Sequence, residues 1–559
     1  MFNHFNFSKE EKKIAKTYFD AADVILANAI KNDDLSLKTK INKDGEIDIK
    51  WISDATIIEK TKDKAGNIIE KQRPIIDLVQ QGGGMWGIAL LGYCYILEKV
   101  GIRFYSHGGT SAGAINALFL ASISADVYKE PPIIETDSNR GALKSEILTL
   151  IVSNMDFSSF MNRGGIVGKI QKTLFKNINS KGLPIFLGLA SLIIIIGMYF
   201  SAGLLLNDYN MSVADVRYFS FIIGTCNIFA FFILIYILFA KVLGENFGLN
   251  TGNPFLFWVR ENLAKLHVNS TQDLYDCLSE TKLIRNVDTD DLKGDLKTWI
   301  KSNNLKTPNS SDETEEKPIV ISEKVSQQLA VDSSKYYKVE NPKIVLITSN
   351  LSHNRIVRFP KRANEYWENH LKVHPAAYVR ASMSLPFIFN TFIPNSTTHY
   401  EAFDDAKNKV KLKARMVDGG MLSNFPIREF HRSSSKAPSF PTFGVLLSKR
   451  SEIKSEDILE GQRNSLLNYV GSYVKTFRNF YDNDFLIDNE EIRDRVVTVD
   501  TRRNPEKSDA QINWLDFWMT TEDKRLLFIR GAEAAIRQLD KFDWKTYKDL
   551  RIKLAKDAI

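Results

Sequence analysis

With 559 residues, 44% of them apolar and 25% charged, the chain is long enough for two or three domains around a large core, which excludes global disorder. A net charge of +7 over this length, with no polybasic tail, argues against nucleic acid as a partner. Cys94, Cys226 and Cys277 show no CxxC spacing, which argues against a disulfide framework or a zinc site and fits a reducing, cytoplasm-facing catalytic domain.

Met1-Phe2-Asn3-His4-Phe5 lacks the charged start, apolar stretch and cleavage pattern of a signal peptide, so any membrane attachment is expected to be internal. From Ser8 to about Lys31, the residues Ile14, Tyr18, Phe19, Ala22, Val24, Ile25 and Ile30 recur at roughly helical spacing among charges. This predicts an amphipathic packing helix. A charged, hairpin-like stretch follows, with Asp44-Gly45 and Gly66-Asn67 as turn signals. Residues 1–74 thus make an N-terminal region that carries no legible chemistry.

Ile75-Ile76-Asp77-Leu78-Val79-Gln80 predicts a buried strand that breaks at Gly82-Gly83-Gly84 and restarts as a helix from Gly87 to Lys99. Glycines at such a point let backbone N–H groups approach a phosphate or an oxyanion. The spacing Gly82-x-Gly84-x-x-Gly87 also fits a dinucleotide fingerprint, but the acid expected about 20 positions on is missing between Phe104 and Gly109. Next comes Gly109-Thr110-Ser111-Ala112-Gly113, a GxSxG pentapeptide followed by small and apolar residues from Ala114 to Leu120. A serine on a sharp strand-to-helix turn, its crowding relieved by Gly109 and Gly113, presents its hydroxyl as a nucleophile.

Residues 182–206 and 218–240 hold no charged side chain, and each run is long enough to cross about 30 Å of hydrocarbon as a helix. Only Asn207 to Arg217 separates them, so they are predicted to form a transmembrane hairpin. Lys169, Lys172, Lys176 and Lys181 precede the first span and Lys241 follows the second, which orients both ends and the catalytic bulk to the cytoplasmic side. Pro308 to Pro318 is polar, acidic and free of aromatics, predicting a solvated loop within 302–320. Strand-like runs resume at Ile344-Val345-Leu346-Ile347-Thr348, Phe443-Gly444-Val445-Leu446-Leu447 and Val496-Val497-Thr498-Val499-Asp500, and Thr521 to Leu539 predicts a closing helix. Strands alternating with helices predict an α/β fold with a mainly parallel sheet covered on both faces.

Met416-Val417-Asp418-Gly419-Gly420 puts an acid and two glycines at a strand end, with Asn424 and Pro426 beyond. Four elements now stand in order: the glycine loop, the GxSxG turn, Ala381-Ser382-Met383-Ser384-Leu385-Pro386-Phe387, and this Asp-Gly-Gly. On them the chain resembles the patatin-like phospholipases, from about Ile75 to about Glu429. The resemblance implies a patatin-like three-layer sandwich with the hairpin inserted inside it, because Gly248-Leu249-Asn250-Thr251-Gly252 resembles the family's pattern after the nucleophile helix. It assigns 75–435 to a catalytic domain interrupted at 182–240 and 302–320, and 436–559 to strands and helices that complete it. One position departs: the family usually carries Arg or Lys where this chain has Trp86.

A serine hydroxyl needs a base, usually a histidine held by a carboxylate. Only His431 follows Asp418, so a Ser-Asp-His triad would have to use it; His107, just before the pentapeptide, reads as structural. The resemblance implies instead a Ser111/Asp418 dyad and an oxyanion hole from Gly82, Gly83 and Gly84, with Gly87, Gly109, Gly113, Gly419 and Gly420 supporting the motifs. An aspartate with its usual pKa of about 3.9 is a poor base in water, so such a dyad needs a dry site. No metal or cofactor is expected, since HExxH, EF-hand and Cys/His patterns are all missing. The expected activity is hydrolysis of phospholipid or other acyl lipid in the bilayer by a serine esterase; a transacylase and a non-catalytic membrane scaffold are the alternatives.

Overall fold

A computed structural model describes residues 7–62, 67–134, 141–161, 196, 218–219, 221–222, 224–226, 228–229, 233, 236, 247–280, 283–285, 341–394, 400–403, 409–412, 414–431, 438–448, 481–504 and 512–557. The predicted spans, their lysine flanks before residue 182 and the acidic loop at 302–320 lie outside these residues, apart from isolated helical positions between 196 and 236. Among the described residues no helix is long and apolar enough to cross a membrane.

Helix α1, Lys9–Lys31, starts at Ser8, whose side chain accepts from the Glu11 N–H while the Glu11 carboxylate accepts from the Ser8 N–H. This reciprocal cap satisfies two donors that the first turn leaves open. Of its predicted stripe Tyr18, Phe19 and Ala22 are buried, Ile14, Ile25 and Ile30 partly so and Val24 is exposed, while Ala15 and Leu26 join the buried side; Tyr18 and Phe19 pack against Phe528. Strands β1, Ala55–Lys62, and β2, Ile68–Gln80, form the N-terminal hairpin, antiparallel from Thr56↔Pro74 to Lys62↔Ile68. The hairpin is tied inward by Glu59, whose buried carboxylate accepts from the guanidinium groups of both Arg73 and Arg103. Buried charges are tolerated only when paired in this way.

From Ile75 onward β2 changes partners. It runs parallel to β3, Arg103–Thr110, on one edge and to β7, Thr442–Ser448, on the other. Beyond β3 lies β4, Ile344–Asn350, in parallel, then β5, Arg355–Phe359, in antiparallel; beyond β7 lies β8, Val496–Asp500, in parallel. The central strands are therefore parallel in the order β8-β7-β2-β3-β4, as the alternation of strand and helix predicted.

The strands alternate faces, which is why a buried parallel sheet reads as continuous apolar runs. Ile76, Leu78, Ile344, Leu346, Phe443 and Val445 enter one core with helices α2, Ile88–Lys99, α3, Ala112–Ser122, and α6, Thr521–Lys541. Val79, Val345, Ile347 and Leu446 enter a second core under Phe425, Ile427, Phe430 and Ile492. The first core also takes in α4, Lys144–Ser153, and α5, Ala376–Ser382, the one buried along its length and the other at all but Ala377. A last helix, α7, Trp544–Asp557, was not predicted: its surface is dominated by charge, and it is held by Trp544, whose indole N–H donates to Asp54 at 2.8 Å.

Candidate active site

At the end of β3 the chain turns through Ser111 into α3. Ser111 has φ +52° and ψ −117°, a left-handed conformation that costs a non-glycine residue about 1–3 kcal/mol. Two bonds hold it there: the Ser111 N–H donates to the Ser382 hydroxyl at 2.9 Å, and the Ile115 N–H donates to the Ser111 carbonyl at 3.1 Å. The flanking glycines are required by close approach. A Cβ on Gly109 would lie 2.3 Å from the Gly113 carbonyl, and one on Gly113 would lie 2.3 Å from the Gln80 carbonyl oxygen. Gly87 leaves room on the same terms for the Ala112 side chain.

Asp418 closes strand β6, Met416–Asp418, and its position follows from pairing. β6 pairs with β4 through Asp418↔Thr348, Val417↔Ser349 and Met416↔Asn350, while β5 pairs with the same three residues of β4. β5 also pairs with Leu346 and Ile347, which β3 pairs through Gly109 and Thr110. A strand has two edges, so β3 and β6 share one, β3 lining it up to Ile347 and β6 from Thr348 on. Because they run in opposite directions, Thr110 and Asp418 finish tip to tip. Gly419 confirms the contact: a Cβ there would sit 2.9 Å from the Thr110 side chain and 2.3 Å from the Ile347 carbonyl oxygen.

Both side chains are buried, Ser111 at 4% and Asp418 at 2% exposure. The Asp418 Oδ1 accepts from the Gly420 N–H at 2.7 Å, and its own N–H donates to the Ser384 carbonyl at 2.8 Å. The end of α5 and the two residues after it thus bond both Ser111, through Ser382, and Asp418, through Ser384. Arg380 fixes this turn: its guanidinium donates to the Ser384 hydroxyl at 2.5 Å and to the carbonyls of Thr251 and Asn390.

The glycine loop lies beside this tip. A Cβ on Gly82 would come within 3.1 Å of the Ser111 Cβ. The Gly82 N–H donates to the Asn424 carbonyl at 3.0 Å, and the Asn424 side-chain N–H donates back to the Gly82 carbonyl at 2.9 Å. Gly82 is therefore engaged through both its N–H and its carbonyl in holding the loop. The N–H groups of Gly83 and Gly84 have no acceptor among the described residues, and Gly84 turns the loop at φ +55°. Sequence reasoning missed Asp482, which anchors the other side of this bond by accepting from the Asn424 and Phe425 N–H groups at 2.6 and 2.8 Å. It also missed the segment from Ile512 to Met519, which covers the loop: Met85 N–H donates to the Trp514 carbonyl, and the Trp86 indole N–H donates to the Ile512 carbonyl at 2.8 Å. Trp86 clamps that segment through this bond.

A family model described as Patatin-like phospholipase matches residues 78–431, more than half of the chain. The chain belongs to the patatin-like phospholipase family. Lipid acyl hydrolysis is the activity that membership implies in general. A 115-residue stretch is 35% identical to the Uncharacterized protein YqhO of Bacillus subtilis (strain 168), covering 20% of this chain and 38% of that relative. Among solved structures, VipD from Legionella pneumophila aligns over 87% of this chain and 70% of its own, at 12% identity and a TM-score of 0.28.

In this patatin-like chain neither candidate histidine stands at the site. His431 packs edge-on against Phe485 at 5.3 Å, with Glu491, Arg495 and Arg551 as its charged neighbours. His107 is buried in β3, and desolvation together with the charge of Lys144 pushes its pKa down to about 3. The unfolded imidazole titrates near about 6.5, so below that pH the unfolded chain takes up a proton that the native site refuses. Stability is therefore expected to fall as pH drops through this window, by about 2 kcal/mol from this residue alone at pH 5. Thermal melts at pH 7 and pH 5 check it: His107→Gln should lose less stability on acidification than the parent, and an equal loss would refute the assignment.

Proposed function

We propose that the chain is a membrane-anchored serine hydrolase of lipid acyl esters, with Ser111 as nucleophile, Asp418 as general base and the Gly83 and Gly84 amides as oxyanion donors. What carries this most is the tip-to-tip ending of β3 and β6 beside two amides with no acceptor among the described residues. Ser111 Oγ attacks the ester carbonyl carbon while Asp418 takes its proton. The carbonyl oxygen, now an anion, accepts from Gly83 and Gly84, each such donor contributing about 3–4 kcal/mol. Collapse expels the alcohol, which leaves with the proton from Asp418 and an acyl-serine behind. Water then gives its proton to Asp418, attacks the acyl carbon, and releases the fatty acid as Ser111 recovers its hydrogen.

Anchoring by the runs at 182–206 and 218–240, with the catalytic domain on the cytoplasmic side, belongs to the same proposal. Its support is the absence of charge over both runs and the outward apolar side chains at described helical positions such as Phe221, Phe229 and Tyr236. The test is to incubate the purified chain and its Ser111→Ala variant with mixed phospholipid vesicles and read the products by mass spectrometry. Free fatty acid from the parent alone is the expected result. Products no different from the variant's would overturn the proposal, and acyl transfer to an added alcohol in place of water would make the enzyme a transacylase.

A further inference from the structure

The segment that bonds Ser111 through Ser382 and Asp418 through Ser384 runs on through Leu385 and Pro386 to Phe387, where the backbone is strained. Phe387 has φ +67° and is 66% exposed. It pairs with Gly248 in a short parallel ladder, and the residue before that glycine, Phe247, repeats both features with φ +52° and 45% exposure. A left-handed phenylalanine costs on the order of 1–3 kcal/mol, and leaving its ring in water forgoes about as much again. Two such residues side by side are a conformation that the surrounding fold maintains against its own stability.

The surface continues on a third segment. The Arg415 guanidinium lies 5.3 Å from the centre of the Phe247 ring, and the Arg415 carbonyl accepts from the N–H of Leu351, itself 51% exposed. Rings, an aliphatic side chain and a long cationic stem in one place match the boundary between headgroups and acyl chains. Chain length says which occupant covers the patch. The uncharged run 218–240 ends seven residues before Phe247, and seven residues extend over at most about 25 Å. Whatever takes up that run holds Phe247 close to it.

We propose that Phe247, Phe387 and Leu351, with Arg415 at their edge, are the surface by which the catalytic domain seats on the lipid bilayer. This rests on the membrane-anchored reading above and adds the orientation of the domain to it. Phe387 lies five residues beyond Ser382 on the segment that bonds Ser111 and Asp418, so seating Phe387 brings that segment to the leaflet.

The full chain, carrying Cys226→Ser and Cys277→Ser, is reconstituted in phosphatidylcholine vesicles with and without phosphatidylglycerol. An environment-sensitive dye is attached at Phe387→Cys, at Leu351→Cys as a second position on a different element, and at Ile68→Cys as a control at the far end of β2. The dye at 387 and 351 should shift to the blue and be quenched by spin-labelled lipid, while the dye at 68 stays unquenched. Phe247→Ser combined with Phe387→Ser should slow hydrolysis of vesicle lipid by about ten-fold or more and leave a water-soluble short-chain ester within about two-fold. Quenching at 387 and 351 no greater than at 68 would overturn the surface, whether or not the chain is an enzyme. Quenching in a chain that cleaves no ester at all would keep the surface and remove the catalytic proposal.

Discussion

Ser111→Ala is expected to lower acyl-ester hydrolysis by ~10⁴-fold or more, the scale on which removing a serine nucleophile acts when the oxyanion donors stay in place. The variant isolates chemistry from folding for a local reason. The bonds that hold the strained turn are made by the Ser111 N–H and carbonyl, to Ser382 and Ile115, and alanine keeps both. The melting temperature should therefore be close to that of the parent while fatty acid release and labelling by a fluorophosphonate probe both disappear. A folded Ser111→Ala protein that still hydrolyses lipid at a tenth of the parental rate would move the nucleophile elsewhere.

Asp418→Asn is the second, with an expected loss of ~10³–10⁴-fold in turnover. Asparagine is chosen over alanine because Asp418 has a structural bond as well: its Oδ1 accepts from the Gly420 N–H at the start of the Gly419–Met421 turn. An amide oxygen can keep that bond, whereas alanine would lose about 1 kcal/mol from it along with the base. The asparagine side chain cannot take a proton from Ser111, so probe labelling at Ser111 should slow in parallel with turnover. Labelling at the parental rate in a folded Asp418→Asn protein would show that some other group activates the serine.

The parts of the site that could be read along the chain are those fixed by local sterics. GxSxG marks a turn because Gly109 and Gly113 are where a Cβ would strike the backbone. The apolar runs of β2, β4, β7 and β8 announce strands buried on both faces, and the stripe on α1 announces its buried side. Other parts left no trace in the sequence. Gly82 looks the same as Gly83 and Gly84 until its partner Asn424, 342 positions away, takes up its N–H and carbonyl. Asp482 acts through a pair of backbone amides, and any chain offers those everywhere. Trp86 looks like a lost cation until the Ile512 carbonyl is seen to accept from its indole.

By itself the sequence determined that a serine sits on a sharp strand-to-helix turn after a glycine loop, and that an acid ends a later strand, because each depends on a few consecutive residues. Only the tertiary structure decided that the ends of β3 and β6 meet and that the Gly82 N–H is taken up by Asn424. Those outcomes depend on which edge of β4 each strand occupies, and strand pairing is settled by competition among segments hundreds of residues apart.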